Sequence, residues 1–375
     1  MRIGVPKEMK NRENRVALTP YGVKELVHCD HEVAVQYNAG LGAGFADEEY
    51  SAAGATLMEQ SSDIWSFAEL LLKVKEPLPA EYRYFREGLI LICYLHLAAE
   101  PKLVQALTAA KVTAIVYETV ELNRMFPLLT PMSEIAGRMS IQIGTHLLEM
   151  TEGGKGVLLG GVPGVKRGKV TIIGGGVVGS NAAKIAIGLG ADVTVIDMNQ
   201  ERLRILEDIH GSRIQTLASS PSVIEDAVAE ADLMIGAVLV PGAKAPKLVT
   251  EDMVRQMSVG SVILDVAIDQ GGIFETGNRL TTHDDPVYIK HGVLHYAVPN
   301  IPGAVPRTST IALCQATFPY VMLIANNGVG GSIERSDALL CGINIAGGHV
   351  THQAVANDLA LEYVPVEQLL STFNR

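Results

Sequence analysis

The chain has 375 residues, 48% of them apolar and 19% charged, with a formal net charge of −11. That length predicts about two domains, each large enough to bury a substantial core. The acidic balance argues against a nucleic-acid partner. No continuous apolar run reaches membrane-spanning length: the most apolar strand-like stretch, 89–97, is short and interrupted by His96. The opening Met1-Arg-Ile-Gly-Val-Pro-Lys7 lacks the apolar stretch of a secretory signal. Cys29, Cys93, Cys314 and Cys341 show no paired metal or redox spacing. These features predict a cytoplasmic protein with reduced thiols, no bound metal and no membrane partner.

In chain order, strands are expected at 2–5, 32–36, 70–74, 89–94 and 113–117, with helices between them such as 20–27 and 101–109. This alternation predicts a parallel α/β domain. It holds no Gly-x-Gly-x-x-Gly pattern. A long helical pattern follows over 133–150, and then a Gly-rich loop, 153–164. Alternation resumes with six strands at 170–173, 193–196, 213–216, 233–236, 262–265 and 294–298, the number a full dinucleotide fold needs. The Pro/Gly-rich segment 298–306 has the composition of a hinge, and a helix is expected over 308–325 before a short tail. The last 70 or so residues are too few for another independent core, so they are expected to return to the first domain. The expected architecture is α/β, with two doubly wound parallel-sheet domains, one a Rossmann dinucleotide-binding domain. They are joined by helices, with an active-site cleft between. The expected bounds are 1–128 with 304–375, and 129–303.

The stretch Lys169-Val-Thr-Ile-Ile-Gly174-Gly175-Gly176-Val177-Val178-Gly179 is a strand running through Gly174-x-Gly176-x-x-Gly179 into a helix. The first glycine permits the turn, the second lets a pyrophosphate approach bare backbone, and the third lets helix and strand pack closely. The next strand ends at Asp197, where an acid is suited to grip the adenosine ribose hydroxyls. The bland alternative is a tight βα turn with no ligand.

Ligands of open α/β sheets lie beyond the carboxyl ends of the strands. Arg15, Lys75, His96, Asp269 and Asn300 all follow predicted strands. Five polar groups at strand exits are candidates for one cleft. Each also has an ordinary reading. Lys75 fits a solvated strand-end lysine, and His96 a hydrogen-bonded structural histidine. Asp269 and Asn300 fit turn residues, and Arg15 a surface charge. Position alone assigns no roles.

Over nearly its whole length the chain resembles the alanine dehydrogenase family. The resemblance is carried by Arg2-Ile-Gly-Val-Pro-Lys-Glu8, Asn14-Arg15-Val-Ala-Leu-Thr-Pro20, Leu70-Leu-Leu-Lys-Val-Lys75-Glu-Pro77 and Tyr94-Leu-His96-Leu-Ala98. It continues through Pro131-Met-Ser133-Glu-Ile-Ala-Gly-Arg138, Gly160-Gly-Val-Pro-Gly164, the block 235–247, and Asp265-Val-Ala-Ile-Asp269-Gln-Gly-Gly272. It implies NAD-dependent oxidation of L-alanine to pyruvate and ammonium, or the reverse, by a homohexamer. It implies that Arg15 and Lys75 hold the carboxylate and carbonyl end of the substrate, and that His96 and Asp269 serve acid–base chemistry. The implied NAD contacts are Ser133, Gly174, Gly176, Val177, Val178, Gly179, Asp197, Arg202, Ser219, Val238, Leu239, Ile268, Asp269, Val298 and Asn300.

The chemistry accounts for this set. Arginine suits a two-pronged carboxylate contact. A histidine exchanges protons near neutral pH. The aspartate either stabilises the positive nitrogen or joins the relay. Water must be kept out during hydride transfer, so closure about 125–135 and 298–306 is expected. The competing readings are the soluble nucleotide-binding component of a proton-translocating transhydrogenase, a non-catalytic nucleotide-binding protein, and a saccharopine-forming enzyme.

Overall fold

The computed structural model describes residues 1–238 and 245–373, except for the side chains of Asp269, Ser371 and Thr372. The chain divides into two compact units, Met1–Met132 with Val305–Arg375, and Ser133–Ala304. In chain order the described strands of the first segment are β1 (Arg2–Val5), β2 (Glu32–Gln36), β3 (Thr56–Met58), β4 (Leu70–Leu72), β5 (Ile90–Cys93) and β6 (Thr113–Val116). The second unit holds β7 (Lys169–Ile173), β8 (Asp192–Asp197), β9 (Gln215–Ala218), β10 (Leu233–Gly236), β11 (Val262–Asp265), β12 (Val287–Lys290) and β13 (Val293–Tyr296). The returning segment adds β14 (Ile343–Ala346) and β15 (His349–Val350).

The first unit carries a sheet in the order β15-β14-β6-β5-β4-β1-β2-β3. The strands from β6 to β3 pair in parallel, with registers such as Ile3↔Val33, Leu71↔Leu91 and Cys93↔Val116. Leu70, Leu71 and Leu72 are all buried, as expected of a parallel strand covered on both faces. The returning segment closes the far edge, with β14 antiparallel to β6 and β15 antiparallel to β14. A long helical span, Pro306–Ile333, broken by a kink at Gly328, precedes it. By length and composition this is the one described helix of membrane-spanning size, with mean hydropathy 1.3 and 44% of that window buried. Gln315, Asn326 and Asn327 interrupt its apolar run. Its residues Leu313, Val321 and Ile324 are core of the first unit.

The second unit carries a sheet in the order β12-β13-β11-β10-β7-β8-β9. All pairs are parallel except β12 with β13. Side chains alternate between two faces, as pleating requires. Val170, Ile172, Val193, Val195, Leu233 and Ile235 meet Ile141, Ala182 and Ala186 of neighbouring helices. Ile173, Ile196, Met234 and Ile263 face Ile224, Val228 and Val254.

The observed sheets are larger than the sequence predicts. The first has eight strands and the second seven. Three strands are antiparallel edge pieces, β12, β14 and β15. The expected short tail thus holds two helices, Asp337–Gly342 and Gln353–Leu359, and two strands. The strand expected at 213–216 begins two residues later, because 211–213 form a 3-10 turn after the helix Gln200–His210. The expected hinge contains a 3-10 turn, Ile301–Ala304.

Candidate active site

In the first unit, Arg15, Lys75 and His96 follow β1, β4 and β5, which are neighbours in the sheet. Parallel neighbours present their carboxyl ends on one side, so the topology itself gathers these side chains. Lys75 Nζ lies 3.1 Å from His96 Nε2. An ammonium has only hydrogens to give, so Nε2 is the acceptor and the neutral ring carries its proton on Nδ1. Burial, reinforced by the positive charge of Arg15, holds Lys75 below the usual lysine range.

Arg15 is 2% exposed. Glu13 grips it with two oxygens: Nε donates to Oε1 at 2.7 Å and Nη2 to Oε2 at 2.5 Å. The Arg15 Nη1 also lies 3.3 Å from Met132 Sδ. Burial alone would lower the guanidinium's proton affinity, but the Glu13 hydrogen bonds and charge outweigh it and raise it. The same pairing overcomes burial at Glu13 and holds its carboxyl below the usual range. The buried pair is therefore charged and fixed in plane.

A further buried cluster braces the strand end that carries Lys75. Lys73 Nζ lies 3.1 Å from Glu8 Oε2 and 3.2 Å from Glu81 Oε1, and all three side chains are nearly inaccessible. Glu8 Oε1 also accepts the Val74 N–H at 2.6 Å. Beyond β5, the backbone of His96 is left-handed, at φ 48° and ψ 41°. The Glu118 Oε1 atom accepts the N–H groups of Leu95 at 3.1 Å and His96 at 2.7 Å. The same oxygen lies 3.6 Å from His96 Nδ1. The Tyr94 ring stacks near the imidazole, with centroids 6.4 Å apart, and its hydroxyl donates to Leu128 O at 2.6 Å.

In the second unit, the turn from β7 leads into the helix Val177–Gly188. Gly174 has φ +103°, a conformation suited to glycine, and a Cβ at Gly179 would stand 1.8 Å from Gly174 O. By contrast, nothing lies within 4 Å of a Cβ built on Gly176. No side chain caps this helix at Gly176. Val177 and Val178 are its first residues, whose N–H groups have no intrahelical carbonyl to reach, beside the open backbone of Gly176, an arrangement suited to a pyrophosphate. At the end of β8, Asp197 accepts the Gly175 N–H at 2.6 Å and the Asn199 N–H at 2.7 Å. Arg202 Nε donates to Gly175 O at 2.5 Å, and its Nη2 bonds Ser180 Oγ. The open second glycine and the acid at the end of β8 fit a dinucleotide.

Several of the remaining sequence candidates of this unit also stand at strand exits. Ser219 follows β9 and donates its N–H to Asp197 O at 3.0 Å. Val238 follows β10. Ile268 and the backbone of Asp269 lie in a 3-10 turn, Ile268–Gln270, after β11. Val298 and Asn300 follow β13, where Asn300 O pairs with His283 Nε2 at 3.0 Å. Ser133 lies in the helix Thr130–Leu147. Leu239 lies outside the described residues, as does the side chain of Asp269.

Asp265, at the end of β11, organises the turn that bears Asp269. Its Oδ1 accepts the Ala267 N–H at 3.2 Å and its Oδ2 the Ile273 N–H at 2.9 Å. Lys247 Nζ donates to Gly271 O at 2.6 Å and Phe274 O at 2.8 Å. Burial pushes the Asp265 carboxyl up to about 6, against the pull of those N–H groups. Glu13, Glu118 and Asp265 are not among the residues singled out by sequence. Glu118 follows β6 and satisfies the same strand-exit rule that selects Lys75 and His96. Glu13 stands two residues before an arginine that needs a partner once buried.

Comparison with known proteins finds relatives over nearly the whole chain. Residues 4–136 match the family model described as the alanine dehydrogenase/PNT N-terminal domain, and residues 140–353 match the corresponding C-terminal domain. The chain is 64% identical over 370 residues to an alanine dehydrogenase of Bacillus subtilis, covering 99% of this chain and 98% of that protein. It is 59% identical over 371 residues to an alanine dehydrogenase of Staphylococcus haemolyticus, covering 99% of each. A solved L-alanine dehydrogenase structure superposes with a TM-score of 0.93 at 55% identity, covering 96% of this chain and 99% of that one. A transhydrogenase from Sinorhizobium meliloti shares the fold, with a TM-score of 0.81 at 23% identity, covering 94% of this chain and 100% of that one. The chain belongs to the alanine dehydrogenase/PNT family.

Proposed function

We propose that the protein catalyses the NAD-dependent interconversion of L-alanine with pyruvate and ammonium. The observation that carries this reading is the Lys75 Nζ–His96 Nε2 contact of 3.1 Å, set among strand exits shared with the buried Arg15. Strong identity to alanine dehydrogenases over almost the full length supports alanine as the amino acid.

Arg15, held in plane by Glu13, binds the substrate carboxylate. Lys75 directs its ammonium to the carbonyl end. His96 Nε2 exchanges the proton lost by attacking water in deamination and returns it in the reverse direction. Asp269 is assigned to the same proton chemistry. When bound, NAD would supply the hydride acceptor for the α-carbon of the amino acid, and NADH the hydride donor in the reverse direction. The N-terminus of the helix Val177–Gly188 would hold the pyrophosphate, and Asp197 the adenosine ribose. Hydride transfer requires that water be excluded from the reacting carbon.

We further infer a cytoplasmic homohexamer. Family membership supports the assembly, and four free cysteines accord with a reducing compartment. Light scattering on the purified protein tests the assembly, and a monomer at working concentration contradicts it. The test of activity is NADH oxidation by the purified chain. Oxidation dependent on both pyruvate and ammonium is expected. Bound NADH without turnover, or hydride passed only to a second nucleotide, contradicts the reading. Preference for a larger oxo acid with an amine contradicts the choice of alanine.

A further inference from the structure

We propose that Glu118 is a positioning residue for His96, fixing both the backbone and the tautomer that its chemistry needs. This rests on the reading of His96 as the proton-exchanging group. Glu118 lies in the 3-10 turn Tyr117–Thr119, immediately after β6, and its side chain is 17% exposed. Because β5 and β6 pair in parallel, with Cys93↔Val116 in register, this turn sits beside the exit of β5.

Three geometric facts converge on one oxygen. Glu118 Oε1 accepts the N–H groups of Leu95 and His96 at 3.1 and 2.7 Å and lies 3.6 Å from His96 Nδ1. The left-handed backbone of His96 is costly for a residue with a side chain. Two N–H groups directed at one carboxylate oxygen hold it there. On the opposite edge of the ring, Nε2 accepts from Lys75 Nζ at 3.1 Å. The neutral imidazole therefore carries its proton on Nδ1, the ring nitrogen 3.6 Å from the carboxylate. When Nε2 takes a proton, the new cation stands between a lysine it must leave and a carboxylate that stabilises it. This carboxylate–imidazole relay of orientation is a recurrent way to fix which nitrogen reacts.

The groups facing the dyad are few. Lys75 comes from the exit of β4, and Tyr94 stacks on the ring from the exit of β5. His352, before the helix Gln353–Leu359, feels the Glu118 charge. Glu118 Oε2 is buried without a hydrogen-bond partner among the described residues, and so is His352 Nδ1. A buried carboxylate oxygen left without a partner is costly, so Glu118 is poorly explained as a stability device alone.

The informative variant is Glu118→Gln, because an amide oxygen still accepts the two backbone N–H groups while the charge is lost. In the intact protein, kcat for pyruvate amination is expected to fall tenfold or more. KM for pyruvate and the Kd for NADH, read by fluorescence, stay within about twofold. In His96→Ala the same Glu118→Gln change is expected to slow turnover no further, because Glu118 acts through the imidazole. Parental kcat in Glu118→Gln overturns the proposal, and so does an equal additional loss in the His96→Ala background. A fully active His96→Ala protein overturns the underlying reading instead, so the two failures are distinguishable.

Discussion

Lys75 Nζ lies 3.1 Å from His96 Nε2, and no proton arrangement other than lysine donating satisfies that contact while the lysine is charged. Burial and the charge of Arg15 hold Lys75 below its ordinary range. Its ammonium therefore discharges at a lower pH than a free lysine, and the site loses a positive charge on the alkaline side. KM for pyruvate is expected to rise there, below the ordinary lysine value of about 10.4. Lys75→Arg, which keeps its charge, should abolish that rise in whatever activity remains. Persistence of the rise in this variant would assign it to another group.

The nucleotide turn separates two glycines by what surrounds them. Gly176→Ala meets nothing within 4 Å, so its thermal midpoint is expected to match the parent. The new methyl occupies the space through which a pyrophosphate approaches, so NADH binding should weaken tenfold or more. Gly179→Ala instead drives a methyl to 1.8 Å from Gly174 O. It should destabilise the protein by about 1–3 kcal/mol through helix displacement. Thermal melts and NADH fluorescence titrations check both, and unchanged affinity in Gly176→Ala contradicts the placement.

Asp197 accepts two backbone N–H groups at the end of β8. A 2′-phosphate would bring negative charge against its carboxylate, so kcat/KM for NADH is expected to exceed that for NADPH by tenfold or more. Asp197→Ala should narrow the ratio, mainly by relieving repulsion. Comparable efficiencies in the parent protein contradict this assignment. The Arg202 guanidinium, on Gly175 O and Ser180, brings a positive charge beside this acid, which is why a preference is expected rather than absolute exclusion.

Asp265 gives a pH signature. Burial raises its carboxyl from 3.8 to about 6. The folded protein therefore holds this proton more tightly than the unfolded chain. Its contribution to stability is full below about pH 4 and is lost as pH rises through about 6. The full difference amounts to ~3 kcal/mol. Relative to Asp265→Asn, the parent should become less stable between pH 4 and 6 and stay level above. Denaturant titrations across that range measure it, and a relative stability that climbs with pH contradicts the assignment.

Much of the framework was legible because buried parallel strands write themselves as short apolar runs. The expected bounds 2–5 and 32–36 coincide with β1 and β2. The edge strands were not legible. β12 has no fully buried residue and β15 has only two residues, so neither carries an apolar run. The strand-exit rule located Lys75 and His96, whose strands are adjacent. It did not reveal the left-handed turn at His96, because the N–H groups there are bonded by Glu118 from the turn after another strand rather than shaped by a local glycine. The Glu13–Arg15 pair was equally hidden. An arginine in a polar loop has the sequence of a surface charge, and only tertiary burial shows otherwise.

The most direct test of the account follows a single atom. Purified protein is supplied with NADH doubly deuterated at nicotinamide C4, with pyruvate and ammonium in ordinary water. The alanine formed is then examined by mass spectrometry and NMR. The account predicts L-alanine bearing one deuterium on its α-carbon. Alanine with only hydrogen at that carbon, or no alanine while NADH is consumed, contradicts it.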